Sequence, residues 1–254
     1  MAFYRDANGN IVDSNGYAGS GSGVVSIAKV FEYLGLALLI TAGISFGLGS
    51  LFYKLFGSGE GIAQSALTAY IAIMAVSAIG VLVTSIIVNF VVIRGRISVL
   101  IPGLLYVVFM GVLLSSFTIF IDWRVLGIAF AITAGTFFIM SLIAFLSKGR
   151  MNGLLIVGMG LFFGSIILGL FNWWMMFLLP DVWNSLMWII TFATFGAMLL
   201  ITIFDIWRIK QIALRGEMTT NLELYLAFQL YVDFIYIFIR ILYFVIVIIS
   251  RARR

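Results

Sequence analysis

A chain of 254 residues is long enough for one or two soluble domains, but 63% hydrophobic residues, only 10% charged ones and a mean hydropathy of +1.20 exclude that class and indicate a polytopic membrane protein. The net charge of +5 comes from basic residues scattered singly between apolar runs, not from one patch, which argues against nucleic acid as a partner. With no cysteine and no histidine, disulfides, thiolate metal sites and the usual near-neutral titrator are all missing, so proton chemistry near neutrality falls to carboxylates.

Residues 1–26 are rich in Gly, Ser, Asn and Asp without a sustained apolar run, and they read as a flexible polar N-terminal tail. The tail lacks the basic start and short apolar core of a cleavable signal, so the first span is expected to stay as an anchor. Residues 27–250 form the membrane domain, with seven uncharged or nearly uncharged runs at about 33–53, 66–93, 97–120, 125–146, 151–173, 184–207 and 224–249. Lipid offers no water to open backbone groups, and barrel strands would show short alternating segments, so these runs must be helices. The fold class is therefore all-α, with seven transmembrane helices. Residues 251–254 make a basic C-terminal tail.

A cytoplasmic N-terminus puts Arg5, Lys29, Arg94, Arg96, Lys148, Arg150, Arg208, Lys210 and Arg215 on one side, with Lys54 and Arg124 opposite. The excess of Lys and Arg on the cytoplasmic side sets this orientation. Arg251, Arg253 and Arg254 would be cytoplasmic only if the last segment were re-entrant, whereas its length is that of a full crossing; seven crossings are expected. Absence of cysteine and compact loops point to a bacterial plasma membrane, with an organelle as the alternative.

The last run is unusual. Tyr225, Gln229, Asp233, Tyr236, Arg240 and Tyr243 follow a helical spacing that places them within an arc of roughly 80° over about 27 Å. A charge near the bilayer centre costs about 2.5–3.5 kcal/mol on insertion scales, so such a stripe is expected to face other helices or a water-filled crevice. Simpler roles exist for its members: Tyr225 and Tyr243 in interfacial belts, Gln229 bridging helices, and Asp233 with Arg240 as a structural ion pair. A second acid, Asp205, lies near the end of the sixth span, in the same half of the bilayer as Asp233, with Thr191, Thr194 and Thr202 on the same side of its helix. It has its own simpler partner in Arg208. Two carboxyls brought together away from water resist joint ionisation and titrate as one unit sharing a proton. Protonated, the pair is a hydrogen-bonded latch; ionised, it repels or attracts a hard, oxygen-seeking cation such as Ca²⁺.

These residues carry a resemblance. AFQLYVDFIYIFIRIL resembles the C-terminal signature of the transmembrane Bax inhibitor motif family (Bax inhibitor 1-like), in which Leu-Tyr-Leu-Asp-Phe-Ile-Asn occurs. IFDIWRIKQI is similar to the Tyr-Asp-containing end of that family's sixth helix, and TAGTFFIMSLIAFLSKGRMNGLLIVGMGLFFGSIILGLFN to its fourth and fifth helices. The resemblance implies seven helices with the last one central and surrounded by the other six, and a pH-sensitive calcium leak gated by paired aspartates. Asp205 and Asp233 match those aspartates as gate, pH sensor and transient Ca²⁺ contacts; Arg94 matches an arginine latch; Gln229, Tyr236 and Arg240 fall on the pore-lining stripe. Phe204 stands where the family has tyrosine, and Tyr236 where it has asparagine.

Elsewhere, Gly160 and Gly164 form a GxxxG expected to allow close helix contact, Glu32 is a surface partner for Lys29, and NWWMMFLLPDVWN is an interfacial turn. The expected partners are the lipid bilayer, protons and Ca²⁺ as the permeant ion, with no cofactor. The alternative function is a membrane-embedded modulator of a membrane protease or cell-survival partner that conducts no ion. Catalysis by the two aspartates is disfavoured, since neither carries the Gly-x-Gly-Asp of intramembrane aspartyl proteases and no nucleophile–base pair appears.

Overall fold

The computed structural model describes residues 3–5, 11–13, 20–57, 64–94, 98–147, 149, 151–178, 180–216 and 218–252; the side chains of 3–5, 11–13, 20–23, 53, 55–57, 64–67, 91–94, 171–178, 180–185 and 252 lie outside that description. Seven helices follow one another: α1 (Ser20–Gly57), α2 (Gln64–Arg94), α3 (Leu100–Phe120), α4 (Trp123–Leu146), α5 (Asn152–Leu178), α6 (Pro180–Leu214) and α7 (Thr220–Ala252). Each contains an apolar stretch long enough to cross a bilayer, where the helix is the only open-ended element that satisfies its own backbone.

The ends follow local chemistry. Pro180, whose missing N–H costs nothing in the first turn, opens α6, and Gly216 with φ 71° turns the chain after it. Before α7, the Thr219 hydroxyl accepts the Leu222 N–H at 3.3 Å.

Several boundaries depart from the sequence reading. β1 (Phe3–Arg5) and β2 (Ile11–Asp13) pair antiparallel, Phe3 opposite Asp13, within the segment expected to be a flexible tail. Helix α1 starts at Ser20, because Ser-Gly-Ser-Gly extends a long apolar helix instead of stopping it. Helix α6 continues to Leu214, since nothing in Trp-Arg-Ile-Lys-Gln-Ile-Ala-Leu breaks a helix, and this leaves Asp205 well inside α6 rather than near its end. Of the expected turn between the fifth and sixth spans, α5 takes everything up to Leu178.

The chain divides into two compact units, Met1–Ile128 with Ile212–Tyr231, and Ala129–Gln211 with Val232–Arg254. In the first, α3 packs on α1 and α2. The α1 surface is a small-residue row, Thr41, Ser45 and Gly49, at four-residue spacing. A Cβ on Gly111 of α3 would come within 3.0 Å of Ile44 and 3.2 Å of the Thr41 carbonyl, and the Thr118 hydroxyl donates to the Ser45 carbonyl at 3.3 Å. Without a hydrophobic force between helices in lipid, such close backbone approach is what gains dispersion energy. The first turns of α7 join this unit through Tyr106, edge-on to Phe228 at 4.9 Å and to Tyr231 at 6.1 Å.

In the second unit, Phe234 of α7 packs on Phe130 and Phe137 of α4 at 5.7 and 5.5 Å, and Phe244 stacks on Phe192 of α6 at 5.2 Å. Lys210 of α6 donates to the Phe145 and Ser147 carbonyls at 2.7 and 3.1 Å, capping the last turn of α4. Gly158 meets α6, where an added Cβ would stand 3.0 Å from Ile201. Among the described residues Gly160 and Gly164 have no neighbour within reach of a Cβ, and the close glycine contact of α5 is made by Gly158, on a different face of the helix.

Candidate functional site: an aspartate pair on the last two helices

Helix α7 shows why the polar stripe does not act as one surface. Its buried residues, running round the helix from Asp233 through Leu230 and Tyr231 to Phe228, span most of the circumference, and the remaining strip is part-buried or exposed. Asp233 sits at the edge where the polar arc meets the buried face and is 8% exposed. Tyr236 and Tyr243 lie roughly 60–80° round the helix from it and are 54% and 46% exposed. Gln229 and Arg240 are part-buried between these extremes. An arc of roughly 80° straddles the boundary, and only Asp233 falls on the inner side.

Asp233 lies near α6: Thr202, whose hydroxyl donates to the Met198 carbonyl at 2.8 Å, and Asp205, one turn further along, are the α6 groups that act on its carboxyl. Thr202 and Asp205 are three residues apart and share a helix face, so the contact that places one places the other. Asp205 is part-buried, and Arg208, one turn beyond, is the cation that acts on it. Asp233 Oδ2 is buried without a hydrogen-bond partner among the described residues. An unsatisfied carboxyl oxygen at such a place is costly, and it marks a position where a proton, a water or a cation gains most by entering.

The pair thus has one member near a hydroxyl and shielded from solvent and one part-buried member near an exposed guanidinium. Two acids do not make a resident metal centre. Among the described residues no group of three or more His, Cys, Asp or Glu could hold an ion, whereas Ca²⁺ takes six to eight oxygens. What two carboxyls and a hydroxyl can do is share a proton and offer a passing cation a weak stop.

Other expected members behave differently. Among the described residues no ion pair joins Asp233 to Arg240, which are separated by two helical turns, or Lys29 to Glu32. Arg94 ends α2, and its side chain lies outside the described residues, so the latch has no geometry to report. Two features escaped the sequence reading. Glu223, 4% exposed, is a second buried acid of α7, just ahead of the span expected from residue 224. Trp207, beside Asp205, buries Nε1 without an acceptor among the described residues. Only the tryptophan within Asp-Ile-Trp-Arg hinted at the latter.

Seven apolar helices among the described residues, with one buried and one part-buried carboxyl on the last two, define an integral membrane protein with ionisable groups inside its spanning helices. A family model described as "Inhibitor of apoptosis-promoting Bax1" matches residues 24–250, and the chain belongs to that family, the Bax inhibitor family. No curated protein and no solved structure gives a match.

Proposed function

We infer that this protein is a pH-sensitive leak pathway for Ca²⁺ in a bacterial plasma membrane, N-terminus cytoplasmic, with Asp205 and Asp233 as gate and proton sensor. The observation that carries the reading is the buried Asp233 carboxyl, near Thr202 and Asp205 of α6 and with Oδ2 unpartnered among the described residues. With one shared proton the two acids bind each other and hold α6 to α7. Without it their like charges repel across a low-dielectric gap and draw in a divalent cation. Among the described residues, Thr202 and Asp205 act on Asp233 and Arg208 acts on Asp205, all from α6.

The test is Ca²⁺ flux into proteoliposomes measured across pH. Flux should vary with pH in the wild type and become flat in Asp233→Asn, which keeps the shape and hydrogen bonding of the side chain but cannot ionise. Absence of flux at every pH, or an unchanged profile in Asp233→Asn, would exclude the reading and leave a non-conducting membrane modulator in its place.

A further inference from the structure

In the first unit, α1 and α3 approach closely at Thr41 and Gly111, and towards the end at which α3 begins a hollow lies between them. The wedge between them is a cavity of about 240 Å³ whose floor is Ala227, Phe228 and Tyr231 of α7. That volume is below the roughly 300–1,000 Å³ of a drug-sized site and suits one chain segment. Its walls are Leu36 and Ile40 of α1 and Leu100 and Leu104 of α3, all exposed, so the cavity opens sideways, while Phe228 and Tyr231 below are buried. All of the walls belong to membrane-spanning stretches, so the opening meets lipid.

The hollow exists because of two small residues. Ala37 and Gly103 line it, and a Cβ on Gly103 would meet nothing within 4 Å. At the mouth stands Tyr33. Lys29, exposed one turn earlier, continues the row of Tyr33, Leu36, Ala37 and Ile40 on the same face of α1. Among the described residues neither Lys29 nor Tyr33 makes a hydrogen bond or ion pair. An apolar hollow with a hydroxyl in its lining and an ammonium one turn beyond it on the same helix face complements one kind of molecule: an alkyl chain with an anionic head.

We propose that this groove is a binding site for a phospholipid of the adjoining leaflet, one acyl chain lying between α1 and α3 on Phe228 and Tyr231, and the phosphate at Lys29 and Tyr33. Specificity comes from the head, because lipid tails are as apolar as the groove and gain only packing by entering it.

The full chain is reconstituted in phosphatidylcholine vesicles containing a phosphatidylglycerol probe with a diazirine in its acyl chain, irradiated, and the cross-links mapped by mass spectrometry. They should concentrate in residues 33–40, 99–107 and 224–231. Gly103→Leu, which fills the groove through open space, should lower them about fivefold while thermal stability holds, and Lys29→Gln should lower them by a similar factor, with Lys29→Arg restoring them. Cross-links spread evenly over all lipid-facing helices, or unchanged in Gly103→Leu, overturn the site. Loss in Gly103→Leu with no effect of Lys29→Gln overturns the phospholipid assignment in favour of an uncharged occupant.

Discussion

The Tyr231 hydroxyl of α7 and Thr41 Oγ1 of α1 lie 2.6 Å apart, a buried bond between residues separated by 190 positions in the chain. Tyr231 is fully buried, and it is the stripe-region tyrosine that does not follow the polar spacing. It pins the start of α7 against the small-residue row that also binds α3.

Removing that hydroxyl should be felt but not ruinous. Tyr231→Phe should lower unfolding stability by about 0.6 kcal/mol, the average for interhelical hydrogen bonds in membranes, because Thr41 can turn its hydroxyl to a carbonyl of its own helix. A double-mutant cycle with Thr41→Val in detergent or bicelles reads the coupling. A value indistinguishable from zero would show that the bond is energetically idle.

The glycines of α5 should separate by face. Gly158→Leu forces a side chain against Ile201 and Leu200 of α6, where even a Cβ stands at 3.0 and 3.3 Å, and overpacking of this kind costs about 1–3 kcal/mol. Gly160→Leu extends into open space and should be neutral or stabilising by up to about 1 kcal/mol, since a helical glycine is replaced. Thermal denaturation of the two variants decides it, and the reverse order would mean that the GxxxG face is the packed one.

Lys210→Met should keep the apolar stem and lose both carbonyl contacts at the end of α4. The expected cost is about 1.5–3 kcal/mol, the range for hydrogen bonds to a charged group. Faster amide exchange in the last turn of α4 should accompany it. Unchanged exchange there would show that the cap is dispensable.

The gate itself makes a signed prediction. Cations and protons compete for the same ionised oxygens, so raising Ca²⁺ should move the midpoint of the flux profile to lower pH, and the shift should vanish in Asp205→Asn and Asp233→Asn alike. A midpoint independent of Ca²⁺ would separate the permeation path from the aspartates.

Of the fold, what was legible in the sequence was whatever lipid alone imposes. An apolar run too long for a strand must become a helix, so seven elements and their order could be read directly, and a carboxyl in such a run had to find an interior position, which Asp233 does. Boundaries were less legible: Ser-Gly-Ser-Gly and Trp-Arg-Ile-Lys look like stops yet continue as helix, because apolar neighbours carry the turn. Glu223 was missed for a related reason, since it stands before the apolar run that drew attention to Asp233.

By itself, the sequence determined that the chain lives in a membrane, that it crosses as helices, and that two acids with a helical companion, Thr202, fall on consecutive spans. Only the tertiary structure decided which side of each helix meets a neighbour. Periodicity states which residues share a face, but in lipid an outward face and an inward face are equally apolar, so hydropathy cannot tell Gly158 from Gly160 or the inner edge of the α7 arc from its exposed one. That choice rests on backbone proximity and shape, which exist only when the helices are packed.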